Sequence, residues 1–338
     1  MEIEKLGVEG LHKHIVSALE LPKFPNTVSA LTDDAALIET EKGEELVIGS
    51  KLFLEGIHFD LVYFPLQYLG FKVVTAAVSE VVAMGAMPRH ISLSIGLSRK
   101  YQVEDVDVLM LGVKDALAYY GIDLIELNAT TSYTGLTLSV TAIGAVAKGQ
   151  ALQSKGARLH DLLCLTGDVG AAYMGLQLLI REKVAFNGEE DFQPKFEGRE
   201  YILSRQMKPS ARIDILKQLK ENGIIPTAMT GVINGVSNAL LHLCDRSQVG
   251  AKLYEQRLPI DHETVSMADE LGLSPTMIGL HGGDDYELLF TIPLGLKDMI
   301  ETIEGVHTIG YITDTDEGIR LVSSGGSETS IVPQHYEQ

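Results

Sequence analysis

The sequence of 338 residues has no tryptophan, only two cysteines, and only 27 lysines and arginines against 46 aspartates and glutamates. Two cysteines cannot build a disulfide framework. Because Cys164 and Cys244 each lie in an apolar run, we expect both to be small buried hydrophobic residues. The net charge of −19 repels phosphodiester backbones and anionic lipid headgroups. The composition therefore argues against nucleic acids and membranes as partners.

Long hydrophobic runs are also scarce. We find no apolar stretch of the roughly 18 residues that a membrane span needs, and the first ten residues lack the basic and apolar regions of a signal peptide. We therefore expect a cytoplasmic protein. The apolar share of 45% and the charged share of 22% are those of a globular chain. At about 150 residues per domain, the length predicts two domains.

Hydrophobic periodicity predicts alternating helices and strands. The predicted helices cover 1–30 (with a connector), 67–86, 103–120, 171–183, 200–222 and 234–245, and the predicted strands cover 45–54, 91–97, 122–127, 135–147 and 162–167. A turn-rich stretch follows residue 147 and is the best candidate for a domain boundary. We therefore predict one domain over 1–150 and a second over 151–338.

Adjacent carboxylates occur twice. Asp33 and Asp34 precede an apolar run, and Asp284 and Asp285 follow two glycines. Paired carboxylates can hold Mg²⁺, which prefers oxygen ligands, but such pairs also serve as turns or helix caps. On the residues alone both interpretations stay open, with the turn or cap being the commoner.

Two further segments could carry chemistry. His58 lies at a strand end, where a lone histidine is more often a structural donor than a catalyst. The segment 167–170 (GDVG) lies between a predicted strand and a predicted helix. It could present N–H groups to an anion at a helix N-terminus, although it lacks the full dinucleotide-binding spacing.

Taken in order, several segments resemble the thiamine-monophosphate kinase family. They are DDAAL, LEGIHFD, AVSEVVAMGAMPR, ATTS, LTGDVGAAYMGLQLL and GGDDYELLF, and they extend over nearly the whole chain. The family belongs to the superfamily typified by aminoimidazole ribonucleotide synthetase. The resemblance implies an N-terminal α/β domain that forms a barrel across a homodimer and lies on the nucleotide-binding side. A C-terminal α+β domain follows it.

The resemblance also implies a reaction and its ligands. The reaction is ATP-dependent phosphorylation of thiamine monophosphate to the diphosphate, with ATP and Mg²⁺ as cofactors. By this resemblance the nucleotide is contacted by Asn128, Thr130 and Thr131, and the phosphorylated substrate by His58 and Asp284. Asp284 is one methylene shorter than the glutamate of the family.

The sequence departs from the family where metal ions should bind. Of six positions that carry a metal-binding aspartate in the family, Asp33 is unchanged and Glu80 is a longer carboxylate. The other four are Lys51, Ala129, Gly231 and Asn234. Motif positions have also changed at Ser50, Ser154 and Ile233. Because carboxylates hold the ions that neutralise transferred phosphate, we predict impaired or lost catalysis.

The replaced residues suggest how the remaining carboxylates could be neutralised without metal ions. Carboxylates without divalent cations repel one another, so we hypothesise that the Lys51 ammonium pairs with Asp33, Asp34 or Glu80. The alternative is that Lys51 extends into solvent. For function, the alternatives are a non-catalytic homodimer that binds thiamine phosphate or another phosphorylated small molecule, or a related superfamily enzyme with another phosphate acceptor.

Overall fold

Two β-sheets and their packed helices make up the computed structural model, which describes residues 14–17, 24–29, 31, 33–41, 43–186 and 193–332. Residues 14–17 are helical. The rest of the helix predicted within 1–30 lies largely outside the described residues. Cys164 and Cys244 are buried and unpaired, as predicted.

The first sheet has six strands. They are β1 (Thr27–Ser29), β2 (Ala36–Glu39), β3 (Glu44–Leu54), β4 (Met87–Leu97), β5 (Asp123–Thr131) and β6 (Thr137–Ala147). Their order is β1-β2-β3-β6-β4-β5, and only the β4–β5 pairing is parallel. The predicted strand over 122–127 thus extends through the ATT segment, which places that segment at the edge of the sheet.

Two helices pack on this sheet, α1 (Leu66–Ala83) and α2 (Val103–Tyr120). The capping box of Gln102 and the left-handed Gly121 set the two ends of α2. The helices can cross closely because each has a glycine at the crossing. A Cβ on Gly70 would lie 2.1 Å from the Leu109 carbonyl oxygen, and one on Gly112 would lie 1.8 Å from the Gln67 carbonyl oxygen.

Helix α1 corrects one expectation. By length and composition alone its 18 residues could cross a membrane, although we had found no such stretch. However, 83% of that window is buried inside the protein. Val73, Val78 and Val81 are fully buried in the hydrophobic core. The helix is apolar over most of its surface because protein surrounds it.

The second sheet has seven strands. They are β7 (Leu162–Thr166), β8 (Ala228–Val232), β9 (Gly250–Tyr254), β10 (Glu287–Ile292), β11 (Val306–Thr313), β12 (Ile319–Val322) and β13 (Glu328–Ser330), in the order β13-β12-β9-β11-β7-β10-β8. All strands of the first sheet lie before residue 150 and all strands of the second lie after it. The exact domain boundary stays a prediction.

Seven helices accompany this sheet among the described residues: α3 (Ala171–Ala185), α4 (Glu200–Met207), α5 (Ile213–Glu221), α6 (Val236–Ser247), α7 (His262–Glu270), α8 (Pro275–His281) and α9 (Lys297–Ile300). The single helix predicted over 200–222 was wrong, because α4 ends before Pro209. Proline has no N–H for the helix and disfavours helical backbone in the residue before it.

Candidate functional site

Lys51 and Glu80 form an ion pair between β3 and α1. The Lys51 Nζ lies 2.5 Å from Glu80 Oε1, and the two side chains are 29% and 9% exposed. Gly49 makes this approach possible, because a Cβ there would lie 2.8 Å from the Glu80 Cβ. The hypothesis that Lys51 pairs with a carboxylate is confirmed, and Glu80 is the partner.

Asp33 and Asp34 connect the chain before β2 to the second half of the protein. The Asp34 Oδ1 accepts hydrogen bonds from Thr230 Oγ1 at 3.0 Å and from the Gly231 N–H at 3.3 Å. The Asp33 Oδ1 accepts from the Ser154 N–H at 3.1 Å. Three oxygens, Asp33 Oδ2, Asp34 Oδ2 and Ser154 Oγ, are buried and make no hydrogen bond to a described residue. We call Asp33, Asp34, Lys51 and Glu80 the acidic cluster.

The acidic cluster has more negative than positive groups. Burial raises the pKa of Asp34 to about 7, and repulsion from Asp33 and Glu80 adds to the rise, while the hydrogen bonds from Gly231 and Thr230 oppose it. Burial also raises the pKa of Glu80, opposed by the Lys51 charge. The acidic cluster thus holds one ammonium and three carboxyl groups, so a proton on Asp34 relieves part of the repulsion.

We expect the Asp34→Asn variant to be more stable than the parent above pH 7. A carboxyl whose pKa rises from 3.8 to about 7 on folding stabilises the fold below pH 4, and that stability is lost as the pH rises through 7. Asparagine keeps an oxygen for both hydrogen bonds and carries no charge. The gain should be about 2–3 kcal/mol at pH 8 and vanish near pH 4. Urea unfolding at the two pH values measures it, and an equal effect at both would contradict this account.

The structure brings together some, but not all, of the positions where the family resemblance implies a metal-binding aspartate. Gly231 lies at the acidic cluster, and a Cβ there would meet its neighbours at an ordinary 3.7–3.8 Å. Asn234 is exposed and its carbonyl accepts from the Asn238 amide. Ala129 is exposed on β5, and β4 and β6 lie between β5 and β3. Three strand spacings put Ala129 about 14 Å from Lys51 across the sheet.

The residues of the acidic cluster do not fit the group of Mg²⁺ ions that the family resemblance implies. Among the described residues, no three or more histidine, cysteine, aspartate or glutamate side chains are arranged to hold a metal ion. Glu80, which replaces an aspartate of the family, has the Lys51 ammonium as its partner. The Lys51 ammonium, which is a covalent part of the chain, thus lies where the resemblance implies a Mg²⁺ ion that can dissociate.

The predicted nucleotide contacts are apart from the acidic cluster. Asn128, Thr130 and Thr131 are all exposed on the edge strand β5. Predicted substrate residue His58 is exposed after β3, where its Nδ1 accepts from the Leu54 N–H at 3.1 Å. Its Nε2 makes no hydrogen bond to any described residue. Their roles as ligand contacts stay predictions.

Asp284 has a partner that the sequence did not suggest. Its Oδ2 lies 2.9 Å from the Nζ of Lys72, whose side chain is only 2% exposed. The same ammonium donates to the Gln206 carbonyl and side-chain oxygens at 3.1 Å each. A single lysine inside an otherwise apolar stretch of α1 was the available signal. It indicates a buried cation that needs acceptors from elsewhere.

Asp284 also lies on a backbone that few residues adopt, with φ +66°. Its N–H donates to the carbonyl of Ile233 at 2.7 Å, which ties this turn to the segment after β8. Ser50 is on the opposite face of β3 from Lys51, where its hydroxyl lies 2.7 Å from that of Thr141. Ile233 and Ser50 therefore have structural contacts of their own at the changed motif positions.

The N-terminus of α3 is already occupied by a carboxylate of the chain. The Gly170 N–H donates to Asp285 Oδ2 at 2.8 Å and the Ala172 N–H to Asp285 Oδ1 at 3.4 Å. Burial raises the pKa of Asp285 to about 7, opposed first by the Arg205 charge. Asp285 is thus a helix cap, which agrees with the commoner interpretation of a paired carboxylate. The N–H groups of Gly167, Val169 and Gly170 all donate to acceptors of the chain, so they do not face a free anion site.

Comparison with known proteins defines the class. The profile of the family described as AIR synthase related protein, N-terminal domain, matches residues 32–146. The solved structure of AaThiL complexed with AMPPCP and TMP aligns with a TM-score of 0.82 and 28% identity, covering 99% of this chain and 97% of that one. The molecule therefore has the AIR synthase-like fold, with two sheets and mixed α/β structure.

Curated relatives narrow the class to one family. Thiamine-monophosphate kinase of Aquifex aeolicus is 30% identical over 293 residues, covering 87% of this chain and 88% of that protein. The Bacillus subtilis enzyme of the same name is 26% identical, covering 77% and 76%. The chain belongs to the thiamine-monophosphate kinase family, as the sequence motifs indicated.

Proposed function

We propose that this protein binds thiamine monophosphate or a closely related phosphorylated molecule and transfers phosphate from ATP far more slowly than its relatives do. Family membership supports the ligand class, because AaThiL has been solved with AMPPCP and TMP. The observation that carries the weak transfer is the Lys51–Glu80 ion pair at 2.5 Å. It puts an ammonium where the family resemblance places a carboxylate for a divalent ion.

Charge explains why the exchange weakens transfer. Phosphoryl transfer depends on positioning and on cations that bridge and neutralise the phosphate oxygens. The ammonium of Lys51 carries one charge instead of two, and Glu80 already neutralises most of it. Ala129, Gly231 and Asn234 supply no carboxylate for other ions. Removing even one well-placed electrostatic stabiliser commonly costs about 10²–10³ in rate.

An assay beside an active relative tests the proposal. Thiamine diphosphate formation from thiamine monophosphate, ATP and Mg²⁺ is measured for this protein and for the Aquifex aeolicus enzyme under the same conditions. We expect a rate at least about 10²-fold lower. A rate within tenfold of the relative would contradict weak transfer, and calorimetry without detectable binding of thiamine monophosphate would contradict the ligand class.

A second candidate is a non-catalytic binding protein. The same ion pair favours it, because the Lys51 ammonium neutralises carboxylate charge in the acidic cluster without a metal ion. Binding of thiamine monophosphate with no diphosphate formed over prolonged incubation would select this candidate. The cytoplasmic location inferred from composition stays a prediction in either case.

We also propose that a second copy of the chain covers the exposed edge of the first sheet. Strand β5 pairs only with β4 among the described strands. Its Ile125 and Leu127 are 57% and 53% exposed, and an exposed apolar edge is a template for pairing. Sedimentation equilibrium should give a dimer, and Leu127→Lys a monomer, while Ile225→Lys elsewhere on the surface has no effect. A parent protein that stays monomeric would contradict this.

A further inference from the structure

A groove lies on the second sheet, away from the acidic cluster. Two adjoining cavities of about 530 and 310 Å³ share Arg257 and Thr308 in their walls. The larger also contacts His307, and the smaller contacts Tyr254 and Tyr311. We call this combined space the Arg257 groove. Strands β10 and β7 separate β11, which lines it, from β8, which holds Asp34. It is therefore separate from the site described above.

Local backbone features shape the Arg257 groove. The register of β11 against β7 shifts between Thr308 and Gly310, as it does at a β-bulge. Gly310 lets β9 approach, because a Cβ there would lie 2.0 Å from the Lys252 carbonyl oxygen. Bulges change the direction of side chains and are frequent beside functional sites.

The aromatic side of the groove is preorganised. The rings of Tyr254 and Tyr311 lie 6.2 Å apart between centroids, tilted by 36°. A 3₁₀ turn, Glu255–Arg257, directly follows β9 and places the Arg257 guanidinium carbon 5.4 Å from the Tyr254 ring centroid. A guanidinium against an aromatic face keeps its N–H donors available at the edge of the ring.

Arg257, the cation of the groove, has no anionic partner in the part of the chain that the structure describes. The side chain of Arg257 makes no hydrogen bond or ion pair to any residue that the structure describes. Neighbouring cations differ: Lys252 pairs with Glu317 and Glu328, at 3.1 and 3.0 Å. The one carboxylate on the wall, Glu301, lies 3.8 Å from Lys297 Nζ. In a chain with net charge −19, a guanidinium without a carboxylate partner among the described residues leaves a local positive charge in this groove.

We propose that the Arg257 groove binds a small anion that carries a planar ring, with the ring on Tyr254 and Tyr311 and the anionic group on Arg257. The planar fork of arginine matches phosphate and carboxylate oxygens in a bidentate geometry. Tyrosine faces attract flat rings in offset or tilted contact. Thr308 lines both cavities and so lies between the two parts.

The absence of tryptophan gives a clean probe. Tyr311→Trp introduces the only tryptophan of the chain, inside the groove. Phenyl phosphate supplies a ring and an anion, while phenol and inorganic phosphate each supply one of the two. We expect a saturable fluorescence change with phenyl phosphate, with a Kd of about 0.1–1 mM for so small a ligand. Phenol and phosphate should each bind at least about tenfold more weakly.

Matched charge variants test the assignment to Arg257. In the Tyr311→Trp background, Arg257→Gln should weaken phenyl phosphate binding at least about tenfold. Arg99→Gln, which removes the same charge from an exposed position in the first half of the chain, should leave the affinity unchanged. A change that stays linear to about 10 mM, or an equal loss in both variants, would overturn the proposal. Circular dichroism confirms that each variant is folded.

A second measurement avoids altering the groove. The ring protons of His160 and His307, which line the two cavities, are assigned by single glutamine variants and followed by NMR in the unmodified protein. Saturable shifts of these two histidines, larger than those of His58, support the groove. Absence of shifts at both, or equal shifts at His58, would overturn it.

Discussion

Returning four carboxylates to the chain should restore Mg²⁺ binding and raise phosphoryl transfer by at least about 10². The variant carries Lys51→Asp, Ala129→Asp, Gly231→Asp and Asn234→Asp. Mg²⁺ is held by oxygen ligands, and these are the positions where the family resemblance places them. Gly231 tolerates a side chain, since a Cβ there meets no atom closer than 3.7 Å. Calorimetric titration of Mg²⁺ and the diphosphate assay measure both effects.

A neutral version of the same variant is the control. Asparagine at positions 51, 129 and 231, with Asn234 kept, adds nearly the same volume without charge. We expect it to gain neither Mg²⁺ binding nor turnover. If the aspartate variant binds Mg²⁺ no better than this control, the surrounding site has changed beyond the loss of carboxylates, and the charge explanation fails.

Removing the Lys51 charge should strongly destabilise the fold. Lys51→Met leaves Glu80 buried beside Asp33 and Asp34 without a cation. Breaking a buried pair by removing one partner commonly costs 3–5 kcal/mol. Because Lys51 is partly exposed, we expect about 3 kcal/mol at pH 8, measured by urea unfolding.

The double variant Lys51→Met, Glu80→Gln separates charge from packing. It leaves no unpaired charge at this position, so most of the lost stability should return. The loss in Lys51→Met should also shrink on acidification. Without Lys51 the pKa of Glu80 rises further above 4.5, and a carboxyl with a raised pKa on folding destabilises only where it is ionised. A loss that is equal at pH 8 and pH 5 would argue for packing instead.

Sequence patterns predicted an element correctly where residues at its two ends mark where it begins and ends. The predicted helix 103–120 matches α2, because Gln102 and Gly121 supply a cap at each end. The predicted strand 135–147 corresponds to β6, where residues 137–144 alternate between partly buried and buried positions. The prediction of one helix over 200–222 failed at Pro209. The helix ends before this proline, and a second helix begins at Ile213.

Only some contacts of the candidate site could be predicted from the sequence. Motif positions pointed to Lys51 and Glu80 as replacements with opposite charge, and electrostatic balance suggested that Lys51 pairs with Asp33, Asp34 or Glu80. Nothing local indicated that Thr230 and Gly231 hold Asp34, because these residues are 196 and 197 positions away along the chain. Lys72 and Asp284 are separated by 212 positions, and only packing of α1 against the second half brings them together.

By itself the sequence determined the family and the alternation of helices and strands, because motifs and periodicity depend on residue order. It also showed which positions lack a carboxylate that the family resemblance implies. Tertiary structure alone decided which carboxylate the Lys51 ammonium meets, that Asp285 caps α3, and that Arg257 lies against Tyr254 without a carboxylate partner among the described residues. Those outcomes depend on distances between segments far apart in the chain. Such distances are set by how the two sheets and α1 pack, and no local pattern encodes them.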